Sequence, residues 1–193
     1  RLASRVLWKV GGGPYRDERE LNGLARGIPW PTHFRADRTI RVDVAATRSP
    51  LRSLEFATLT VKDAVCDRFR DEQGKRPSVD KRMPDVRVHA YLTDREATFY
   101  LDTSGEPLFK RGWRRDTEEA PLRENLAAGI LALAGWTPTA PLLDPMCGGG
   151  TIPIEAALIA ADIAPGLHRS FGFQKLAWFD GPAWQRLTQK ARD

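Results

Sequence analysis

The sequence predicts an α/β protein in two parts: a compact strand, helix, strand, strand module, then the opening elements of a Rossmann-like, doubly wound domain. Three observations predict it. Short segments between residues 39 and 102 alternate apolar and polar side chains, the period of half-buried strands. Between the first and second of them lies a long stretch with apolar residues three and four apart, as a helix requires. Near residue 150, a run of glycines separates an apolar segment from a second helical pattern.

Ile40, Val42, Val44 and Ala46 alternate with Arg41, Asp43 and Ala45, giving a strand over 39–46. Leu54, Ala57, Val61, Val65 and Phe69 then share one helix face from about Ser53 to Arg70, and Gln73-Gly74-Lys75-Arg76-Pro77 breaks the helix. Val86, Val88, Ala90 and Leu92 alternate with Arg87, His89 and Tyr91, and Ala97, Phe99 and Leu101 with Thr98, Tyr100 and Asp102. These two strands form a hairpin turning at Thr93 to Glu96. The module ends near Ser104-Gly105, and residues 1–35 precede it as an N-terminal extension.

A charge-dense bridge, residues 106–120, follows, centred on Lys110-Arg111-Gly112-Trp113-Arg114-Arg115. Pro121 suits a first helical turn, with Leu122, Leu126, Ile130 and Leu133 marking a helix that Gly135 ends. The apolar run Ala140-Pro141-Leu142-Leu143 reads as a strand delivering Asp144, and a helix runs from Thr151 to about Ile163. The last stretch is aromatic, with Phe171, Phe173, Trp178, Phe179 and Trp184. Residues 121–193 supply one strand where a doubly wound sheet needs several, and the chain begins at Arg1. The expectation is a fragment of a longer protein.

Composition narrows the functional classes. The chain has 193 residues, 41% of them hydrophobic, as a globular protein has. No uninterrupted apolar stretch reaches the length of a membrane span, and Arg1-Leu2-Ala3-Ser4-Arg5 leads into no signal-peptide core, so a cytoplasmic protein is expected. Cys66 and Cys147 are far apart and read as reduced thiols; His33, His89 and His168 are scattered, and no metal site is expected. Residues 1–115 hold 24 Lys and Arg against 16 Asp and Glu, net +8; residues 116–193 hold 6 against 9, net −3, together the chain's +5. A polyanion such as nucleic acid would be held by the first part, unless its charge is simply a solvated face.

The chemistry concentrates in Asp144-Pro145-Met146-Cys147-Gly148-Gly149-Gly150-Thr151. Three glycines let the backbone turn tightly and approach a ligand. The acid suits the cationic amino group of an amino-acid moiety such as S-adenosylmethionine carries, and the following amides and helix N-terminus suit its carboxylate. There is no Gly-Lys-Ser/Thr for a nucleoside triphosphate and no GxGxxG spacing for a dinucleotide. The simpler alternative is a strand-to-helix turn without a ligand. A further alternative is Cys147 as a covalent nucleophile, against which stands its place inside a loop that needs a small side chain.

Four stretches carry a family resemblance. They are Val61-Lys62-Asp63-Ala64 with Asp67-Arg68-Phe69; Arg76-Pro77-Ser78-Val79-Asp80 with Pro84-Asp85-Val86; Leu101 to Gly105 through Lys110 to Arg114; and Ala120-Pro121-Leu122-Arg123-Glu124-Asn125 leading to the Asp144 loop. In this order the chain resembles the THUMP-domain, S-adenosylmethionine-dependent RNA methyltransferases, in particular the bacterial 23S rRNA guanine-N2 branch. The resemblance implies a THUMP module at 36–105 that holds structured RNA, 23S ribosomal RNA above all, and a Rossmann-like methyltransferase domain opening at 121–193. It implies that residues 1–35 belong to a truncated ferredoxin-like region.

By the same resemblance Asp144, Pro145, Cys147, Gly148, Gly149, Gly150 and Thr151 bind the cofactor, with Pro121 and Leu122 lying over it unless they are a plain helix start. The family's loop commonly reads Gly-Ser-Gly where this chain has three glycines. Lys62, Lys75, Arg76, Lys81, Arg82 and Arg87 are the expected RNA contacts. Arg111 and Arg114 either join them or pair with Asp116 and Glu118. The family's catalytic Asn or Asp followed by Pro-Pro and an aromatic residue is not found in these residues, so the catalytic residues are unknown. A DNA amino-methyltransferase and a non-enzymatic RNA-binding module are the alternative functions.

Overall fold

A computed structural model describes residues 1–114 and 121–192, and the chain divides into two compact units. The expected pairing partners Asp116 and Glu118, with Arg115 and Ala120, lie outside the described residues.

The first unit comprises Val6–Gly105 and Phe171–Phe179. Its strands are β1 (Leu7–Pro14), β2 (Ile40–Ala46), β3 (Val86–Leu92) and β4 (Glu96–Asp102), in the order β1-β4-β3-β2. β1 and β3 run antiparallel to β4, and β2 runs parallel to β3. Helices α1 (Glu18–Gly27), α2 (Trp30–His33) and α3 (Leu54–Gln73) complete the unit.

α3 starts where Ser53 Oγ accepts the Phe56 N–H and ends at Gly74, whose φ of 66° a side chain would strain. Ala57, Val61, Val65 and Phe69 are buried on it as their spacing requires, with Val88, Ala90, Phe99 and Leu101 in the same core. Leu54, placed on that face by periodicity, is exposed, because it sits in the first turn beyond the sheet's cover.

Where the sequence predicts only an extension, the structure makes residues 7–27 an edge strand and a covering helix. The alternation is hidden in β1 by Gly11-Gly12-Gly13 and by an irregular register between Lys9 and Gly11. The glycines have a packing reason. A Cβ on Gly11 or Gly13 would stand 2.9 Å from the side chains of Ile28 and Leu24, which cross the strand there. The aromatic segment 171–179 straps the same unit: Phe173 N–H donates to Thr103 O, Ala177 N–H to His33 O, and Leu176 is buried in the core.

The second unit comprises Arg1–Arg5, Glu106–Ser170 and Asp180–Asp193, with α4 (Glu124–Leu133), α5 (Thr151–Ala160) and α6 (Gly181–Lys190). Two expectations are corrected here. α4 begins at Glu124 after an extended Arg123, so Pro121 precedes the helix instead of opening it. Its buried face is Ala127, Ala128 and Leu131, while Leu126, Ile130 and Leu133 face out. Small residues turn inward because α4 packs directly on α5. Its end matches the expectation: Gly135, φ 65°, lets Trp136 N–H reach Leu131 O and Gly135 N–H reach Ala132 O, a Schellman closure.

The second correction is the strand before Asp144. Residues 140–143 form none, and Leu143 is 87% exposed. A parallel strand exists only through hydrogen bonds to its neighbours, and no described residue pairs with this segment.

Candidate functional site

The glycine loop is built for backbone contact. Gly148 and Gly150 take φ of 50° and 72°, the left-handed region, and Gly150 N–H donates to Cys147 O at 2.8 Å to close the turn. Gly150 is also the N-cap of α5, so the first amides of that helix open onto the loop. Asp144 Oδ1 accepts Met146 N–H at 3.2 Å, which holds the carboxylate at the loop's entrance while Oδ2 has no partner among the described residues. Pro145, Cys147 and Gly148 are exposed.

Thr151 is different. It is buried, and its Oγ1 accepts from Arg114 Nη2 at 2.9 Å. The same Nη2 donates to Leu122 O at 3.2 Å, and Arg114 Nε donates to Glu124 Oε1 at 3.1 Å. One guanidinium thus joins the Pro121-Leu122 turn to the glycine-loop helix, the two segments the resemblance assigns to the cofactor. Pro121 and Leu122 line a cavity of about 340 Å³ with Phe109 and Glu124. The fit to a ligand with an ammonium and a carboxylate is good: an acceptor at the entrance, bare backbone through the turn, and donor amides beyond it.

Arg111 and Arg114, expected either on RNA or on Asp116 and Glu118, spend their charge inside this unit. Arg111 is 5% exposed, donating Nε to Glu155 Oε1 at 3.1 Å, Nη1 to Leu108 O and Nη2 to Arg1 O. Sequence reasoning singles out neither Glu155 nor Glu124. A signal for Glu155 exists, a lone acid amid Ile152, Ile154, Ala156, Ala157 and Leu158, since a charge there must be paired or surface-facing.

The other six expected RNA contacts lie on the first unit. Lys75, Arg76, Lys81 and Arg82 are exposed on the loop after α3, with Arg87 on β3 and Lys62 on α3. Lys62 pairs with Asp63 at 2.7 Å. None of the other five has a carboxylate within ion-pair distance among the described residues, whereas Arg16, Arg26, Arg35, Arg41, Arg68, Arg70 and Arg95 all do. Cations without a carboxylate partner among the described residues thus gather on this loop and the adjoining strand, while Lys9, Arg19, Arg38, Arg48 and Arg52 are in the same state singly elsewhere on the unit. The loop is shaped by Asp80, whose Oδ1 accepts the amides of Arg82 and Met83; those two bonds hold its carboxyl below the usual range.

Among the described residues no helix is long and apolar enough to cross a membrane, and no three His, Cys, Asp or Glu side chains gather as a metal ion would need.

Residues 15–102 match the THUMP domain model, and residues 111–193 match the model described as RMKL-like, methyltransferase domain. The first unit thus carries the THUMP match and the second most of the methyltransferase-domain match. The resemblance to the THUMP-domain methyltransferases read from the sequence is borne out. Over its whole length it is 47% identical to the ribosomal RNA large subunit methyltransferase K/L of Psychromonas ingrahamii, and 47% to that of Allochromatium vinosum.

Among solved structures, one described as a predicted N6-adenine-specific DNA methylase from Listeria monocytogenes superposes with a TM-score of 0.89 at 32% identity, covering 100% of this chain. One described as SMU.472, a putative methyltransferase complexed with SAH, gives 0.85 at 31% over 97%. The chain spans about a quarter of the length of these curated relatives, 26% and 27%, and about half of the two solved chains, 51% and 50%.

Proposed function

We infer that this chain is the RNA-holding and cofactor-entry part of an S-adenosylmethionine-dependent methyltransferase that modifies the exocyclic N2 of a guanine in large-subunit ribosomal RNA, in the cytoplasm. The observation that carries it is the pairing of a left-handed glycine loop, capped by Asp144 and α5, with a loop of unneutralised cations on the THUMP domain.

The cofactor supplies a methyl group on a cationic sulfur. The chain's own residues hold its amino-acid end: Asp144 accepts from the ammonium, and Gly148, Gly149, Gly150 and the Thr151 amide face the carboxylate. Pro145 and Cys147 shape the entrance, and Pro121 and Leu122 close over it. Lys75, Arg76, Lys81, Arg82 and Arg87, with Lys62 beside them, hold RNA phosphates, and Arg111 and Arg114 hold the cofactor unit together. Guanine's amine is a poor nucleophile that must be oriented by acceptors and stacked on an aromatic face. With no Asn/Asp-Pro-Pro-aromatic segment, these 193 residues bind RNA without methylating it.

Salt-dependent binding to ribosomal RNA tests the first half. Changing Lys75, Arg76, Lys81, Arg82 and Arg87 together to alanine should weaken binding and flatten its salt slope by up to about 0.9 per lost phosphate contact. An unchanged slope would show a solvated face only. The second half is tested in a protein extended through the whole methyltransferase domain: RNA with inosine for guanosine lacks the N2 amine and should accept no methyl. Turnover by the 193-residue chain alone would overturn its assignment as a binding part. The Listeria structure's description favours DNA as the second reading, which preferential binding to duplex DNA over ribosomal RNA would support.

A further inference from the structure

The four-stranded sheet has two faces, and the helices account for one. α1 and α3 bury Ile40, Val42, Val88, Ala90, Phe99 and Leu101. The register fixes what the opposite face carries. Tyr100 on β4 stands directly across from His89 on β3 and from Lys9 on β1; Tyr91 stands across from Thr98 and Ala45; Arg87 stands beside Arg41. The large aliphatic side chain that the register adds is Leu7, at the end of β1 across from Asp102. The face's aromatic rings sit on the two central strands and its cations on β1, β2 and the start of β3.

Exposure follows the same plan. Tyr91 is 42% exposed, Lys9 is exposed, and Tyr100 and Arg87 are half-buried. Tyr91 Oη meets Thr47 Oγ1 at 2.9 Å, which fixes one end of the ring, and His89 Nε2 stands 3.8 Å from the buried Asp102. Of the other acids, Glu96 stands at the hairpin end of β4, across from Pro14, and Asp43 is neutralised by Arg41 at 2.7 Å. Arg41 also donates to Lys81 O. The net positive charge at this end of the face therefore comes from Lys9 and Arg87, and Arg41, itself paired with Asp43, ties the face to the loop that carries Lys81 and Arg82.

We propose that this open sheet face is a stacking platform for a single-stranded segment of the bound RNA, with bases on Tyr91 and Tyr100 and phosphates on Lys9 and Arg87. The proposal rests on the RNA reading above and adds the strand state of the RNA and the residues that read it. A base presents a flat π-face that tyrosine can cover without sequence preference, and single strands expose that face whereas a duplex hides it. The leftover cations of the loop then hold the phosphates that flank the stacked bases.

The test uses the 193-residue chain with two probes, a single-stranded oligouridine of about twelve nucleotides and a duplex RNA of the same length. Tyr91→Ala and Tyr100→Ala should each weaken oligouridine binding about tenfold or more and leave duplex binding within about twofold. Tyr100→Phe, which keeps the ring, should restore binding, and unchanged thermal unfolding of the alanine variants would show that the sheet is intact. If both alanine variants bind oligouridine like the parent while the five-cation variant loses it, the platform is wrong and the RNA reading stands. If no form of the chain binds either RNA, both fall.

Discussion

The THUMP unit is held together by carbon and the methyltransferase unit by charge. In the first, Trp30, Phe34, Phe69, Phe99 and Leu101 are fully buried, and the rings of Phe34 and Phe69 lie 5.0 Å apart. In the second, the most buried groups include Arg111, Glu124 and Glu155, while Leu133 and Met146 are about nine-tenths exposed, at 92% and 90%. Apolar burial stabilises wherever area leaves water, but a buried ion pair stabilises only while both partners remain. The two units should therefore fail differently.

The largest effects test that contrast. Phe69→Ala should cost about 3–5 kcal/mol by lost transfer and a cavity, and no second substitution should recover it. Glu155→Ala should cost a similar amount, about 3–5 kcal/mol, because it strands Arg111 in the interior. Here a partner change should help: Arg111→Met with Glu155→Leu should regain most of the loss. Leu133→Ala, at a site already in water, should stay within about 0.5 kcal/mol. Urea unfolding followed by fluorescence measures all four. If Glu155→Ala is as mild as Leu133→Ala, the charge pair is incidental and the contrast collapses.

The glycine loop sharpens the comparison in a protein extended through the whole methyltransferase domain. Gly148→Val should abolish S-adenosylmethionine binding, since a branched side chain opposes the φ of 50° and fills space the ligand needs. Asp144→Ala should weaken it by about 1.5–3 kcal/mol, roughly ten- to a hundredfold, through one lost charge-assisted hydrogen bond. RNA binding should be unchanged in both. Calorimetry showing parental cofactor affinity in both variants would make the loop a structural turn.

How much of this is legible in the sequence depends on where the partners of each pattern lie. The alternation of 86–92 with 97–102 is readable because each strand's partner is a few residues away and one face is buried. The apolar run before Asp144 misleads for the opposite reason: its composition suits a buried parallel strand, but no described residue pairs with it. β1 escapes notice because glycine replaces the side chains that would have shown alternation. α1 escapes it although Asp17, whose side chain accepts Glu20 N–H, and the run Leu21, Leu24, Ala25 and Ile28 mark a capped helix. In the site, the residue types are visible but the partners are not. Arg111 and Arg114 read as surface charge because Glu155 and Glu124 lie 44 and 10 positions away.

A smaller effect separates the two thiols. Burial pushes the Cys66 thiol up, so it is both hidden and less ionised, whereas Cys147 is exposed in the loop. Iodoacetamide at pH 8 should modify one thiol per native chain, at Cys147, and the second only after unfolding. Mass spectrometry finding Cys66 modified first would mean that the THUMP core opens more readily than the loop reacts.

The smallest expected effect is a pH dependence at His33, beside the strap that closes the THUMP unit. Burial holds the His33 imidazole below its ordinary value of 6.5, and its carbonyl accepts Ala177 N–H at 2.7 Å, where segment 171–179 crosses the unit. Above 6.5 the folded and unfolded chains both carry His33 neutral, so it adds no pH dependence there. Below 6.5 the unfolded chain takes up the proton first, and stability falls with pH until the folded form also protonates. His33→Gln removes that difference. On going from pH 7 to pH 5 the parent should therefore lose more stability than the variant, at a slope that stays below about 1.4 kcal/mol per pH step of one, the limit for a single proton. Urea midpoints at the two pH values measure the difference, and parallel curves would show that burial does not hold the His33 imidazole neutral.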